Sequence, residues 1–186
     1  MKNPRVPSNT AKKIPSVFLL LSIALILCGC PFSSTYKLDS ESSIPVDESL
    51  LGKWACMVEN SSGNEQPVKM IIGRKNETEY NIDFTGDLKD LWRFRVVEND
   101  TIKGSAFMSM VNDRPFLNIE VRGQTYLVAV DQKDGKLSLL PLTDGFTSKY
   151  IKSNEVLRKA VEVHLHTWSF PHYDDQFCLK GMVRVN

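Results

Sequence analysis

The chain alternates apolar and polar residues with a period of two from residue 51 to residue 141. Strict alternation of this kind is typical of β-strands that bury one face. The breaks between the alternating runs are rich in Asn, Asp and Gly, which tolerate the positive φ angles of tight hairpins. Because parallel strands need long crossovers, these short breaks predict an antiparallel meander of about eight strands. The side chains predicted to face inward are Tyr80, Ile82, Phe84, Trp92, Phe94, Met108, Leu117, Ile119, Tyr126 and Val128.

The period changes after Pro141. An apolar stripe at near-helical spacing predicts one short helix, and Ser153 stands where an N-cap is expected. The stripe consists of Val156, Leu157, Ala160 and Val161. A last strand is predicted over residues 177–185. A meander of this size can close on itself and so remove its exposed edges. We therefore expect a mainly β fold, an antiparallel barrel followed by a short C-terminal helix and a terminal strand.

The first 29 residues differ from the rest of the chain. They carry four basic residues and no acidic one, and residues 14–27 are almost wholly apolar. A basic region followed by an apolar core is the pattern of a secretory signal peptide. The apolar run is shorter than the roughly 20 residues of a membrane-spanning helix. Residues 1–29 are therefore predicted to be a signal peptide.

The apolar run ends in Leu27-Cys28-Gly29-Cys30, which resembles the lipobox of bacterial lipoproteins. Leu27, Gly29 and Cys30 match that motif. The resemblance implies that the signal is cleaved after Gly29 and that Cys30 carries fatty acyl chains such as palmitate. Several acyl chains together hold a protein firmly on a membrane. Because Pro31 and not Asp follows the cysteine, the enterobacterial sorting rule implies the outer membrane of the cell envelope.

Residues 30–49 are rich in Ser, Asp and Pro, with few large apolar side chains, and are predicted to form a flexible tether. Residues 50–186 are then the folded domain. The mature chain would hold 157 of the 186 residues, and without the four basic residues of the signal it keeps 19 basic and 22 acidic side chains, a net charge of −3. This charge gives no electrostatic reason to bind nucleic acid.

The start of the predicted domain, Leu50-Leu51-Gly52-Lys53-Trp54, resembles the first motif of the lipocalins, and more loosely of the calycins. That family opens its first barrel strand with Gly-x-Trp, matched by Gly52 and Trp54. Its order of elements, a meander, a helix and a terminal strand, is also similar. The family's second motif is not matched, since Thr143-Asp144-Gly145 lacks the tyrosine. The chain also resembles uncharacterised envelope lipoproteins of Gram-negative bacteria, a likeness that implies no activity.

Two functions from different classes remain open. The lipocalin resemblance implies a small apolar ligand inside the barrel, and Trp92, Phe94 and Tyr126 are the candidate lining residues. The alternative is a barrel filled by its own side chains, which acts as a structural or interaction protein and meets another envelope protein through its surface. A cavity would separate the two, because ligand sites are concave and mostly apolar.

Few residues suggest further chemistry. Export would allow a disulfide between Cys56 and Cys178, although the alternation permits two separate thiols instead. His164 and His166 are weak metal-ligand candidates, because helical spacing turns them about 200° apart. Nucleophile-elbow, zinc-protease and phosphate-loop signatures are missing from the sequence. We therefore predict a protein that is not an enzyme and has no cofactor.

Overall fold

A computed structural model describes residues 32–59, 63–86, 101–143, 151–167, 172–174 and 178–185. These segments form nine strands and one helix. The strands are β1 (Ser33–Ser34), β2 (Gly52–Glu59), β3 (Glu65–Arg74), β4 (Glu79–Gly86), β5 (Thr101–Val111), β6 (Arg114–Val121), β7 (Gln124–Lys133), β8 (Lys136–Pro141) and β9 (Leu179–Val185), and the helix is α1 (Asn154–Leu165).

Eight of the strands close into an antiparallel ring. Each strand from β2 to β7 pairs with the next strand along the chain, so the series ends with β8. β9 pairs with both β8 and β2 and so closes the ring. The short β1 pairs with β7 outside this ring. The predicted mainly β barrel with one helix is confirmed. The terminal strand β9, however, is a member of the ring and closes it, and the strand predicted around Trp92 and Phe94 lies outside the described residues.

The hairpin residues have the positive φ angles that the sequence predicted. Asn112 and Asp113 connect β5 to β6 with φ angles of 49° and 61°. Two consecutive positive φ angles are typical of the type I′ turn, whose twist matches that of the flanking strands. The β6–β7 and β7–β8 hairpins also have positive φ at both central residues. These tight turns fix the register in which the alternating faces of neighbouring strands meet.

The interior of the barrel is lined by the residues that the alternation assigned to it. Every predicted inward residue within the described ranges is buried, with exposed fractions from 0% to 6%. They belong to one cluster that also contains Trp54, Met70 and Met182. Trp92 and Phe94 lie outside the described residues. A period of two is therefore a sufficient signal for the barrel interior, because it depends only on local strand geometry.

A second apolar cluster lies outside the ring, where α1 covers β5, β6 and β7. Ser153 caps the helix as predicted, since its side chain accepts a hydrogen bond from the Val156 N–H. Leu157 and Val161 of α1 are fully buried in this cluster. Their partners on the outer faces of the strands include Phe116, Leu127 and Ala129. Both faces of β6 and β7 are thus covered.

Residues 32–50, which we call the N-terminal strap, are packed against the barrel. The sequence predicted a flexible tether over residues 30–49, and from residue 32 onward that prediction is wrong. The average composition of the strap is polar, but its few apolar side chains are buried in the two apolar clusters, Phe32 and Leu38 in the outer one and Val46 and Leu50 in the interior one. Those that are buried, with their exposed fractions, are Phe32 (5%), Leu38 (2%), Val46 (7%) and Leu50 (1%).

Polar contacts also hold the strap in place. The Leu38 N–H donates to Asn118 Oδ1 over 2.8 Å, and Asn118 Nδ2 donates in turn to Ser109 Oγ over 2.8 Å. Asn118 and Ser109 are buried on the outer face of the barrel. Since a buried amide without a partner is costly, this pair explains why two polar residues stand between apolar neighbours on covered strands.

Candidate functional site

The end of the barrel at which β2 begins is closed by the strap. Trp54 is 3% exposed, and its Nε1 donates to the Leu50 carbonyl over 2.8 Å. The Arg184 guanidinium lies 5.0 Å from the Trp54 ring centroid and donates to the Ser49 carbonyl over 2.8 Å. A cation stacked on an indole ring contributes attraction beyond the contact area. Leu50, Trp54 and Arg184 together form a plug at this end.

Tyr80 belongs to the same plug. Its side chain is fully buried, and its hydroxyl accepts a hydrogen bond from the Asp47 N–H over 2.7 Å. Burial raises the pKa of Tyr80 above its ordinary value, so the hydroxyl stays protonated at neutral pH. Outside the plug lies a shallow groove of about 460 Å³ that is open to solvent. Its lining includes Lys133, Lys136 and Arg184.

Most of the described side chains that point into the barrel are inaccessible to solvent. A void that could hold a small molecule would leave accessible surface on the side chains around it. Among the buried residues of the interior cluster, Ile102 and Val130 have the largest accessible fractions, 8% each, while Cys56, Val58 and Val121, which pack against it, are partly exposed. The interior side chains with no accessible surface at all are Val68, Met70, Tyr80, Ile82, Leu117, Leu137 and Met182. Burial of this extent is typical of native packing.

Of the three candidate ligand-lining residues, the structure describes Tyr126. It faces the interior, is 4% exposed, and pairs with Ser33 of β1 across the β1–β7 ladder. Burial raises the pKa of its hydroxyl, while a hydrogen bond with the Ser33 side chain partly offsets that rise. Tyr126 is thus a core residue that also helps to dock the strap. Trp92 and Phe94 lie outside the described residues.

The weak metal candidates His164 and His166 are not brought together. His164 is buried on the inner side of α1, where its ring lies 5.0 Å from that of His172 in an edge-on arrangement. His166 is exposed and approaches Asn112 over 3.2 Å. Burial lowers the pKa of His164, which keeps it neutral near pH 7. Within the described residues, His, Cys, Asp and Glu side chains form no group of three that could hold a metal ion.

Cys56 and Cys178 are not joined in a disulfide, which is the second of the two alternatives left open by the sequence. The β2–β9 ladder places Ala55 opposite Val183. Measured along the strand direction, Cys178 is therefore on the order of 10 Å away from Cys56. A disulfide needs Cα atoms about 4.4–6.8 Å apart. The Cys178 thiol instead donates to the Asp174 carbonyl over 3.0 Å, and burial raises the pKa of Cys56.

A second groove, of about 500 Å³, lies on the outer wall beside the α1 cluster. It is bordered by Arg114, Ala129, Leu140 and Tyr173, among others. The Arg114 guanidinium lies 5.7 Å from the Tyr173 ring centroid and donates to the Tyr173 hydroxyl. The alternation gave no sign of this groove, because Tyr173 reaches the wall from the segment between α1 and β9. Its mixed polar and apolar lining lies next to the residues that bury Phe32.

None of the helices in the described segments has the length and apolar character needed to cross a bilayer. Comparison of the chain with protein-family models, with curated proteins and with solved structures found no match. The functional argument therefore depends on the residues and the geometry of this chain.

Proposed function

We propose that this chain is a lipid-anchored bacterial envelope protein whose barrel is packed by its own side chains. In this proposal it is not an enzyme, it has no ligand in its interior, and it acts through contacts of its outer surface with another envelope component. The observation that carries the proposal is the near-complete burial of most of the described side chains that point into the barrel. The plug of Leu50, Trp54 and Arg184 at one end supports it further.

The anchor in this proposal is supported by the sequence. A basic leader, an apolar core and the lipobox-like Leu27-Cys28-Gly29-Cys30 stand in the order that export and lipidation require. The outer membrane is the proposed destination, on the enterobacterial sorting rule for Pro31. A small barrel on a lipid anchor suits a role in holding or organising a neighbour at the membrane surface.

Replacing Cys30 by Ser tests the anchor. We expect Cys30→Ser to abolish labelling by a clickable fatty acid and to leave the signal peptide uncut, because the hydroxyl cannot form the thioether to lipid. The measurement is in-gel fluorescence of the labelled protein together with its mobility. Cys28→Ser is the matched control, since this cysteine would leave with the signal and should not be needed for labelling. A Cys30→Ser protein that still incorporates the fatty acid at wild-type level would refute the anchor.

The packing of the interior is tested by substituting Val128 with a bulkier residue. Val128 is 2% exposed inside the barrel, so Val128→Trp should overpack the core and cost about 1–3 kcal/mol of unfolding free energy. Urea denaturation followed by circular dichroism measures the change. In a hollow barrel the same substitution would be accommodated at little cost, and the parent would take up an apolar fluorescent probe stoichiometrically. Saturable uptake of such a probe by the parent domain would overturn the packed interior and favour a ligand-binding barrel.

A further inference from the structure

The strap is attached to the barrel almost up to the proposed lipidation site. The Phe32 N–H donates to the Leu142 carbonyl over 2.8 Å, and Ser33 and Ser34 pair with β7. The Phe32 side chain is 5% exposed in the same cluster as Leu157 and Val161 of α1. If Cys30 becomes the N-terminus, one residue separates it from Phe32.

Two ion pairs and a chain of hydrogen bonds prevent the strap from acting as a spacer. Arg158 of α1 binds Asp39 over 2.6 Å and also donates to the carbonyls of Leu38 and Met110. Lys37 binds Glu120 of β6 over 2.6 Å. The strap is thus clamped between α1 and the outer faces of β5 and β6. Detaching it would expose the apolar cluster beneath it to water.

The reach of the anchor is therefore very short. Two residues of extended chain span at most about 7 Å, so lipid on Cys30 holds Phe32 close to the headgroups. The groove bordered by Leu140 and Tyr173 lies on the same wall, since Leu142 forms a bridge with Tyr173 and accepts the hydrogen bond from Phe32. We call this wall, which consists of α1, Phe32 and the groove, the helix side.

We propose that the helix side rests on the bilayer surface, held there by the short anchor; this inference rests on the proposed lipidation of Cys30. The outward face of α1 has the chemistry for such contact. Val156 and Val163, two helical turns apart, are 45% and 57% exposed. Lys159 lies on the same exposed face, where its long side chain can keep its charge in the headgroup layer. Apolar side chains flanked by lysine are typical of helices that lie in the interface.

The opposite wall has no such connection to the anchor. It is the outer face of β9, β2 and β3, which carries the exposed side chains Val183, Met57 and Ile71. With the helix side on the bilayer, these three residues face the aqueous compartment. The wall is then available to a protein partner, and it also supplies a matched control position for an experiment on orientation.

The experiment uses the full lipidated chain in phosphatidylcholine–phosphatidylglycerol vesicles. Cys56 and Cys178 are replaced by Ser, and either Val163→Cys or Val183→Cys is labelled with an environment-sensitive nitrobenzoxadiazole probe. Both valines are exposed, so neither change should disturb the fold. We expect brominated phosphatidylcholine to quench most of the fluorescence at position 163, with a blue-shifted emission, and to leave position 183 unquenched. Equal quenching at the two positions, or none at either, overturns the proposed orientation.

A second variant tests whether the short anchor is the cause. A Gly/Ser insert of about twelve residues between Pro31 and Phe32 would add a reach of roughly 20 Å. We expect the insert to leave vesicle binding intact and to abolish most of the quenching at position 163. Undiminished quenching would show that the connection does not set the orientation. Failure of the proposed anchor is distinguishable, because a chain without lipid on Cys30 would not float with the vesicles at all.

Discussion

Truncating Trp54 to Ala should lower the unfolding free energy by about 3–5 kcal/mol, the usual cost of removing a buried aromatic side chain. Trp54 is 3% exposed within the interior cluster. The change also removes the hydrogen bond to the Leu50 carbonyl and the ring on which Arg184 stacks. Because native domains are stable by only about 5–15 kcal/mol, this single substitution should bring the domain close to unfolding.

The measurement for Trp54→Ala is urea denaturation of the soluble chain that begins at residue 31, followed by far-ultraviolet circular dichroism. Met57→Ala is the matched control on the same strand, since Met57 points outward and is 55% exposed. A surface change of this kind should stay within about 0.5 kcal/mol. Similar losses for the two variants would mean that β2 does not present Trp54 to a packed interior.

Removing the strap should be at least as damaging. A chain that begins at residue 50 lacks Phe32, Leu38 and Val46, each of which is less than 10% exposed in the intact fold. Burying a side chain of this size contributes about 1.5–3 kcal/mol, so the loss sums to roughly 5–9 kcal/mol. That loss is comparable to the whole stability of a domain. We expect the truncated chain to be unfolded or only marginally stable at 25 °C.

The comparison for this prediction is the chain that begins at residue 31, which keeps the complete strap. Circular dichroism should show a β-dominated spectrum with cooperative melting for the longer chain and a weak, non-cooperative signal for the shorter one. If residues 30–49 were a flexible tether, the two chains would melt at the same temperature. Equal melting temperatures would therefore contradict the packing of the strap and remove the basis for the short anchor.

Two apolar clusters hold the domain together, one inside the barrel and one on its outer wall. The interior cluster joins the eight strands of the ring, while the outer cluster joins α1 and the strap to β5, β6 and β7. Tyr126 and Ser33 pair across the place where strap and ring meet. In the proposed function, recognition therefore uses the surface of the barrel and not its interior.

Within the described residues, the sequence by itself determined the strands, the inward residues and the helix. Alternation is a local property, so Ile82 or Leu117 can be assigned to a buried face without knowing which strand lies beside it. The cap at Ser153 and the hairpin at Asn112-Asp113 depend on side chains within a few residues of each other. Of the candidate ligand-lining residues, the sequence placed Tyr126 correctly on the inside, but it could not tell a packed interior from a hollow one.

Only the tertiary structure decided which strand closes the ring and what happens to the strap. β9 enters between β2 and β8 although more than a hundred residues separate it from β2, and no periodicity within either strand encodes that pairing. In the same way, Lys37 meets Asn154 and Leu38 meets Arg158 across most of the chain. The strap has a polar composition typical of a tether, yet a few apolar side chains suffice to bind it, because the folded barrel and α1 provide the matching sites. Such sites exist only once distant segments have come together, and local composition cannot reveal them.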